Sequence, residues 1–112
     1  MINILRFDPR NAVLGHNGTI LAQDVFPASV TNAPFQHRYG YMEANCQMAG
    51  HAHEKREVYM IIYGSGTILI GDETAHVETG DVIDIPSNQW HELFSDGSGP
   101  MLWAAFFWMP QK

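Results

Sequence analysis

The sequence predicts an all-β protein, and two observations carry that prediction. Short runs rich in Tyr, Val, Ile, Phe and Thr recur along the chain and are separated by clusters of Gly, Pro, Asn and Asp. The former residues favour strands and the latter favour turns, whereas no window of ten or more residues repeats apolar side chains at helical spacing. Many short strands of this kind are typical of a sandwich or a barrel. A chain of 112 residues is long enough for one such domain with a buried core.

Eight strands are predicted, each a β-prone run bounded by turn residues. In the N-terminal part, Thr19–Phe26 and Gln36–Ala44 are separated by the Pro- and Asn-containing stretch Ser29–Pro34, and a short helical turn is expected at Pro9–Leu14. Turns that contain glycine separate most of the remaining runs. These runs are Glu57–Tyr63, Gly66–Ile70, Ala75–Glu78, Val82–Ile85, Trp90–Phe94 and Met101–Trp108.

Composition and charge exclude several classes of function. The net charge is −6, and the six Lys and Arg residues are scattered, so the chain lacks the basic patch that nucleic-acid binding requires. Charged residues interrupt the N-terminus before an apolar signal segment can develop, and the longest apolar run, Met101–Met109, is too short to cross a bilayer as a helix. The single cysteine, Cys46, excludes an internal disulfide and is expected to be buried in a reducing compartment. We therefore expect a cytoplasmic protein without nucleic-acid or membrane partners.

Four residues form a complete candidate set of metal ligands: His51, His53, Glu57 and His91. Imidazole suits zinc, copper, iron and nickel, and a carboxylate widens the choice toward manganese. In an extended strand His51 and His53 lie on one face, and Glu57 returns to that face if the strand resumes in phase after a turn. His91 has to come from a separate strand. The alternative for Glu57 is a surface ion pair with a neighbouring Lys or Arg. The remaining histidines are expected to be ordinary surface or core residues: His16, His37 and His76.

The first part of this pattern resembles the first motif of the cupin superfamily. That motif reads Gly, five residues, His-x-His, three or four residues, Glu, six residues, Gly. Here His51, His53, Glu57 and Gly64 fall on its positions, and Asn45 stands where the leading Gly belongs. Asn45 is expected in a strand, where the loss of Gly costs little.

The second part resembles the second cupin motif, which reads Gly, five residues, Pro-x-Gly, two residues, His, three residues, Asn. Gly80, Pro86 and His91 match it, whereas Asn88 replaces the middle Gly and Ser95 replaces the final Asn. Asn tolerates positive φ better than any residue except Gly, so Asn88 is compatible with a left-handed turn. All four ligand positions are therefore unaltered.

The resemblance implies one jelly-roll barrel of the double-stranded β-helix type over residues 1–112. The motif-bearing core would span about 40–109, and N-terminal strands within 1–35 would wrap the barrel or a dimer partner. It also implies one divalent transition metal on the quartet, with Mn, Fe, Ni, Zn and Cu not distinguishable. Cupins include dioxygenases, decarboxylases, isomerases and lyases as well as non-catalytic small-molecule or sugar binders, and the fold does not choose among them.

The expected wall of the site is mostly aromatic and apolar, which favours a small oxygenated metabolite, a carboxylate or a carbonyl compound. The reaction would be dioxygenation or Lewis-acid chemistry. An inward Arg38 would pair its planar guanidinium with a substrate carboxylate, and an exposed position on an outer face is the alternative. Tyr41 has two alternatives: packing in the core or at an interface, which is the expected role, and donating a proton to or orienting a bound anion as a candidate pocket residue. Tyr59 shares the strand face of Glu57.

Two predicted strand segments, Val58–Tyr63 and Met101–Trp108, are apolar on both faces. A strand of this type lies between two packed layers or at a subunit interface. The second segment carries too much aromatic area for an exposed edge. We therefore expect a homodimer.

Overall fold

Two antiparallel sheets make up residues 1–111, which are the residues that this computed structural model describes. The larger sheet has the strand order β1-β2-β3-β10-β5-β8, and the smaller sheet has the order β4-β9-β6-β7. The ten strands are β1 (Val13–Gly15), β2 (Ile20–Gln23), β3 (Gln36–Met42), β4 (Gln47–His51), β5 (Arg56–Tyr63), β6 (Ser65–Ile70), β7 (Glu73–Glu78), β8 (Val82–Ile85), β9 (His91–Ser95) and β10 (Met101–Trp108). The all-β jelly-roll prediction is confirmed.

Alternating side chains place the core between the two sheets. Along β5, Tyr59 and Ile61 are buried, whereas Met60 and Ile62 on the other face are exposed, as the two-residue period of a strand requires. Trp103 of the central strand β10 is only 2% exposed and meets the ring of Tyr59 at a centroid distance of 6.0 Å. The smaller sheet contributes fully buried side chains such as Met48 and Leu93 to the same core.

The outer face of β3 and β10 is covered by aromatic residues that precede β3. Phe7 stacks on the ring of Tyr41 at a centroid distance of 5.5 Å. Phe26 and Phe35 pack around Phe106 of β10 at 6.3 and 5.5 Å. The burial of β10 on both faces is therefore satisfied within the chain. This strand lies between β3 and β5, so its aromatic residues do not by themselves require a second subunit.

The outer face of β5 and β8 is bare. Met60 is 41%, Ile62 is 42% and Val82 is 63% exposed. The prediction that Val58–Tyr63 is buried on both faces is therefore wrong within a single chain. For a strand that is apolar on both faces, the alternatives were packing between two layers of the chain and packing at a subunit interface; the first is excluded for these side chains.

Several sequence expectations in irregular segments were wrong. The helical turn predicted at Pro9–Leu14 is a shorter turn, closed by a hydrogen bond that Asn11 N donates to Asp8 O (3.0 Å). Strand β1 already begins at Val13. Cys46 is exposed, because it lies in the connection before β4. Strand β4 is not among the eight predicted strands, although His51 and His53 were expected on one extended strand; β4 ends at His51, and His53 lies in the connection that follows. No helix in the described part of the chain is long and apolar enough to cross a membrane.

Candidate metal centre

The four predicted ligands converge at one end of the barrel. His51 is the last residue of β4, and His91 is the first residue of β9; the two are direct partners in the β4–β9 ladder. His53 lies in the short connection to β5, and Glu57 is the second residue of that strand, in the opposite sheet. One ligand atom from each of the four side chains lies within 4.8 Å of all the others. Two adjacent strands and one tight connection thus bring together residues from both sheets.

Backbone carbonyls fix the tautomers of two of these histidines. The Nδ1 of His53 lies 2.7 Å from the carbonyl oxygen of Lys55, and the Nδ1 of His91 lies 2.9 Å from that of Gln89. Because a carbonyl oxygen only accepts, each Nδ1 carries the proton and donates it. In the neutral form of each ring, which is the form that binds metals, the Nε2 atom is then left with a lone pair. Such hydrogen bonds hold imidazole ligands of metal ions in orientation.

Both lone pairs face the same carboxylate. Glu57 Oε1 lies 3.0 Å from His53 Nε2 and 3.4 Å from His91 Nε2, and Glu57 is only 6% exposed. Three electron-rich atoms at these distances repel one another unless a proton or a metal ion lies between them. Among residues 1–111, His91 Nε2 and His51 Nδ1 are also buried without a hydrogen-bond partner, which is costly for polar atoms. The donor set and its unsatisfied nitrogens fit a divalent transition metal.

The alternative role of Glu57 as a surface ion-pair partner is excluded by its surroundings. Arg56 instead pairs with Asp84 at 2.7 Å, and Lys55 Nζ donates to the side chain of Gln36. Neither basic residue is paired with Glu57. The carboxylate is directed into the barrel, toward the histidines.

Burial makes the pKa of His51 favourable for metal binding. Desolvation, reinforced by the neighbouring His91, lowers the pKa of His51 to about 4. The neutral imidazole, which is the form that binds metals, therefore predominates at neutral pH. Burial also raises the pKa of Tyr59 well above its usual range. Its hydroxyl, 3.6 Å from the sulfur of Met48, stays protonated.

The residues that replace motif positions support two turns, one beside the site and one at the opposite end of β4 and β9. Asn88 adopts the expected left-handed conformation (φ 64°), and its N–H donates to the carbonyl of His53 at 2.7 Å. Asn45 is also left-handed (φ 57°) and lies in a turn, so the expectation that it sits in a strand was wrong. Ser95 stabilises that turn, because its hydroxyl donates to Glu43 O at 2.6 Å and accepts from Cys46 N at 2.9 Å.

Comparison with known proteins identifies the family. Residues 40–109, which include all four candidate ligands, match the family model described as the cupin domain. The chain belongs to the cupin family.

Solved structures agree with this assignment at the level of the fold. A cupin 2 conserved barrel domain protein from Salinispora arenicola is 21% identical, with a TM-score of 0.84 over 96% of this chain and 89% of that one. A protein from Photorhabdus luminescens is 24% identical, with a TM-score of 0.83 over 96% and 88%. A predicted oxalate decarboxylase from Thermotoga maritima is 13% identical, with a TM-score of 0.76 over 95% and 100%.

In this cupin a cavity of about 590 Å³ opens beside the quartet. Its apolar lining includes Tyr59, Trp103 and Phe107, and basic side chains are contributed by Arg38 and Lys55. Gly40 is required next to this wall, because a Cβ there would lie 2.3 Å from two ring carbons of Trp103. The cavity is thus largely apolar, and its charged lining comprises the basic Arg38 and Lys55 and the acidic Glu54 in addition to Glu57 of the quartet.

Only two of the three predicted pocket residues line the cavity. Arg38 and Tyr59 line the cavity. The guanidinium of Arg38 is half-exposed, and its closest anionic neighbour is Asp24 at 3.7 Å. Tyr41 lies on the outer face of β3, stacked on Phe7, and its hydroxyl donates to Glu43 at 3.3 Å. The packing alternative describes Tyr41.

One residue of the site was missed from the sequence. His16, in the turn between β1 and β2, lines the cavity, and its ring centroid lies 4.4 Å from that of His51. It precedes the motif-bearing region, so no motif spacing relates it to the quartet. The other two histidines behave as expected: His37 Nδ1 accepts from Val25 N at 3.1 Å, and His76 is exposed.

Proposed function

We propose that this cupin binds one divalent transition metal through His51, His53, Glu57 and His91, and that it is an enzyme acting on a small oxygenated metabolite. The observation that carries the proposal is the position of Glu57 Oε1, 3.0 and 3.4 Å from two imidazole nitrogens whose protons are held elsewhere. A metal ion between these atoms would stabilise this buried arrangement. The identity of the ion, among Mn, Fe, Ni, Zn and Cu, is left to measurement.

The chemistry of the site divides between the ion and the chain. A bound ion would polarise a substrate oxygen or, if redox-active, support dioxygenation. The chain orients the ligands through the carbonyls of Lys55 and Gln89. Tyr59 and Trp103 provide an apolar wall that lowers the local dielectric and limits the access of water.

A small carboxylate or carbonyl compound suits the cavity best. Arg38 and Lys55 line it, and a guanidinium pairs with a carboxylate in a planar, bidentate manner. The loose contact of Arg38 with Asp24, at 3.7 Å, leaves it able to do so. The relative from Thermotoga maritima is described as a predicted oxalate decarboxylase, and decarboxylation of a small carboxylate falls within the class proposed here.

Elemental analysis followed by a turnover screen tests this function. Protein purified without added metal should contain about one equivalent of a single transition metal. The loaded protein should turn over a member of a panel of small oxygenated acids and carbonyl compounds, assayed with and without oxygen. The His51→Ala variant should stay folded but lose both metal and turnover.

Two outcomes would contradict the enzyme proposal. Saturable ligand binding by the fully metallated protein without product would favour the alternative, a non-catalytic small-molecule or sugar binder. If removal of metal changed neither stability nor ligand binding, the site would be vestigial.

We also propose that the chain forms one cytoplasmic domain and associates as a homodimer. Support for a single domain comes from Phe7, Phe26 and Phe35, which pack on the larger sheet of the same chain. Support for self-association comes from the bare apolar face of β5 and β8, where Ile62 is 42% exposed.

A further inference from the structure

His16 occupies a position beside the metal centre that the family match does not explain. It lies outside the matched residues 40–109. Its ring lines the cavity and is tilted by 54° against that of His51, with 4.4 Å between the centroids. Within the described residues, the group of ligand atoms that lie within 4.8 Å of one another comprises the quartet and does not include His16. His16 is therefore a neighbour of the candidate ligands and not a fifth member of the set.

The turn that carries His16 has a left-handed backbone. His16 and Asn17 have φ values of 47° and 58°, and Gly18 N closes the turn by donating to Gly15 O at 3.0 Å. This conformation is uncommon for residues other than Gly, but Asn and His are among the residues enriched in it. The turn therefore accommodates His16 with its ring at the wall of the cavity.

The hydroxyl of Thr19 ties this turn to the strand that carries His51. Thr19 Oγ1 donates to the carbonyl of His16 at 2.7 Å and accepts from the N–H of Ala49 at 2.9 Å. Ala49 is two residues before His51 on β4. The position of His16 relative to the candidate ligands is therefore fixed by a bridge between two elements.

The remaining wall explains what a polar ring at this position would do. The cavity is lined elsewhere by Tyr59, Trp103 and Phe107, while Arg38 supplies a cationic group from β3. A small ligand in this cavity with one oxygen near the quartet meets the ring of His16 on one side. An imidazole N–H donates to an anionic oxygen and gains more from it than from a neutral one.

We propose that His16 is a specificity-determining residue that donates a hydrogen bond to an anionic oxygen of the small carboxylate in this cavity. This inference rests on the proposed function, because the quartet defines where the first ligand oxygen lies. It goes further by naming a contact that comes from outside the two motifs.

Oxalate binding to the Co²⁺-loaded protein tests the inference, with the visible spectrum of Co²⁺ as the readout. The His16→Ala variant should bind oxalate about tenfold more weakly, as expected for the loss of one charge-assisted hydrogen bond. Its affinity for Co²⁺ should stay within about twofold of the wild type, because a neighbour of the ligands is removed and not a ligand. The His16→Asn variant, which keeps an N–H donor and suits the left-handed backbone, should recover part of the oxalate affinity.

Two further variants separate the contact from effects on the turn. Asn17→Ala changes a neighbouring, exposed side chain with the same backbone conformation and should bind oxalate as the wild type does. Thr19→Val removes the bridging hydroxyl at nearly constant shape, so it should weaken oxalate binding in the same direction as His16→Ala. This variant keeps the test decisive if His16→Ala does not fold.

The outcomes distinguish this inference from the proposed function. Unchanged oxalate affinity in His16→Ala overturns the contact. An equal loss of Co²⁺ and oxalate affinity also overturns it, because His16 would then be a metal ligand or a residue that positions His51. If the wild type binds Co²⁺ but oxalate does not alter its spectrum, the ligand class is wrong and the metal site stands. If the wild type does not bind Co²⁺, the metal site itself is contradicted and this inference with it.

Discussion

Replacing Glu57 by Gln should change stability in opposite directions with and without metal. In the metal-free protein, the carboxylate is 6% exposed and faces two imidazole lone pairs at 3.0 and 3.4 Å. A Gln side chain has the same shape, carries no charge, and presents an N–H donor to one of these nitrogens. We expect the metal-free Glu57→Gln variant to be more stable than the metal-free wild type by about 1 kcal/mol, the usual net value of a gained hydrogen bond.

With metal the order should reverse. The loss of residues that only orient ligands costs 10- to 100-fold in metal affinity, so the loss of the anionic ligand itself should cost about 100-fold or more. At a metal concentration of about 100 times the wild-type dissociation constant, binding stabilises the wild type by about 2.7 kcal/mol. The same concentration would stabilise the variant by only about 0.4 kcal/mol.

Thermal unfolding at about pH 8, with a chelator and then with Zn²⁺, measures both effects. This pH keeps ordinary imidazoles neutral. With about 4 °C per kcal/mol for a domain of this size, Zn²⁺ should raise the melting temperature by about 11 °C for the wild type and by about 2 °C for the variant. The reasoning would be refuted if Glu57→Gln destabilised the metal-free protein by more than about 1 kcal/mol and left the metal-induced shift intact, because Glu57 would then be a structural partner of the histidines.

Two further predictions concern pH and assembly. The hydroxyls of Ser65 and Ser98, each 2.6 Å from the carboxylate, lower the pKa of Asp96 from 3.8 to about 2. The stabilising contribution of the carboxylate is therefore complete above about pH 4 and is lost as the pH falls toward 2. The Asp96→Asn variant should melt below the wild type at pH 6 and together with it at pH 2, with Asp72→Asn as an exposed control; a melting difference that stays constant across this range would contradict the assignment. In sedimentation velocity the wild type should be a dimer and the Ile62→Glu variant should be a monomer. The Leu14→Glu variant, which alters an exposed residue of β1, should remain a dimer. A monomeric wild type at micromolar concentration would exclude the association.

The strands with a strong β signal were predictable from the sequence. The bounds of β8 and β10 were predicted to the residue, because Val, Ile and aromatic residues fill them between clear turn residues. The bounds of β4 were not predicted, because Gln47–His51 reads Gln, Met, Ala, Gly and His, residues of low β propensity. It is a strand because it pairs with β9, and Met48 is completely buried in the core. Tertiary packing therefore overrides a weak local preference in this segment.

The candidate ligands were predictable, but the wall around them was not. Motif spacing brought His51, His53, Glu57 and His91 forward, and the structure places them within reach of one ion. His16 belongs to a separate turn, and its approach depends on how β1 and β2 join the larger sheet. Sequence spacing carries no information about that contact. The packing of Tyr41 was expected, but its partner Phe7 was not, since the orientation of β3 decided which of its faces Phe7 would cover.

The ligands come from both sheets, and this has a mechanical consequence. Glu57 belongs to the larger sheet, whereas His51 and His91 end strands of the smaller one. An ion held by all of them would therefore act as a cross-link that closes the chain between Glu57 and His91 and reduces the entropy of any state in which the sheets separate. At this end of the barrel, metal binding and separation of the two sheets would then be linked equilibria: a bound ion would make separation rarer, and separation would release the ion.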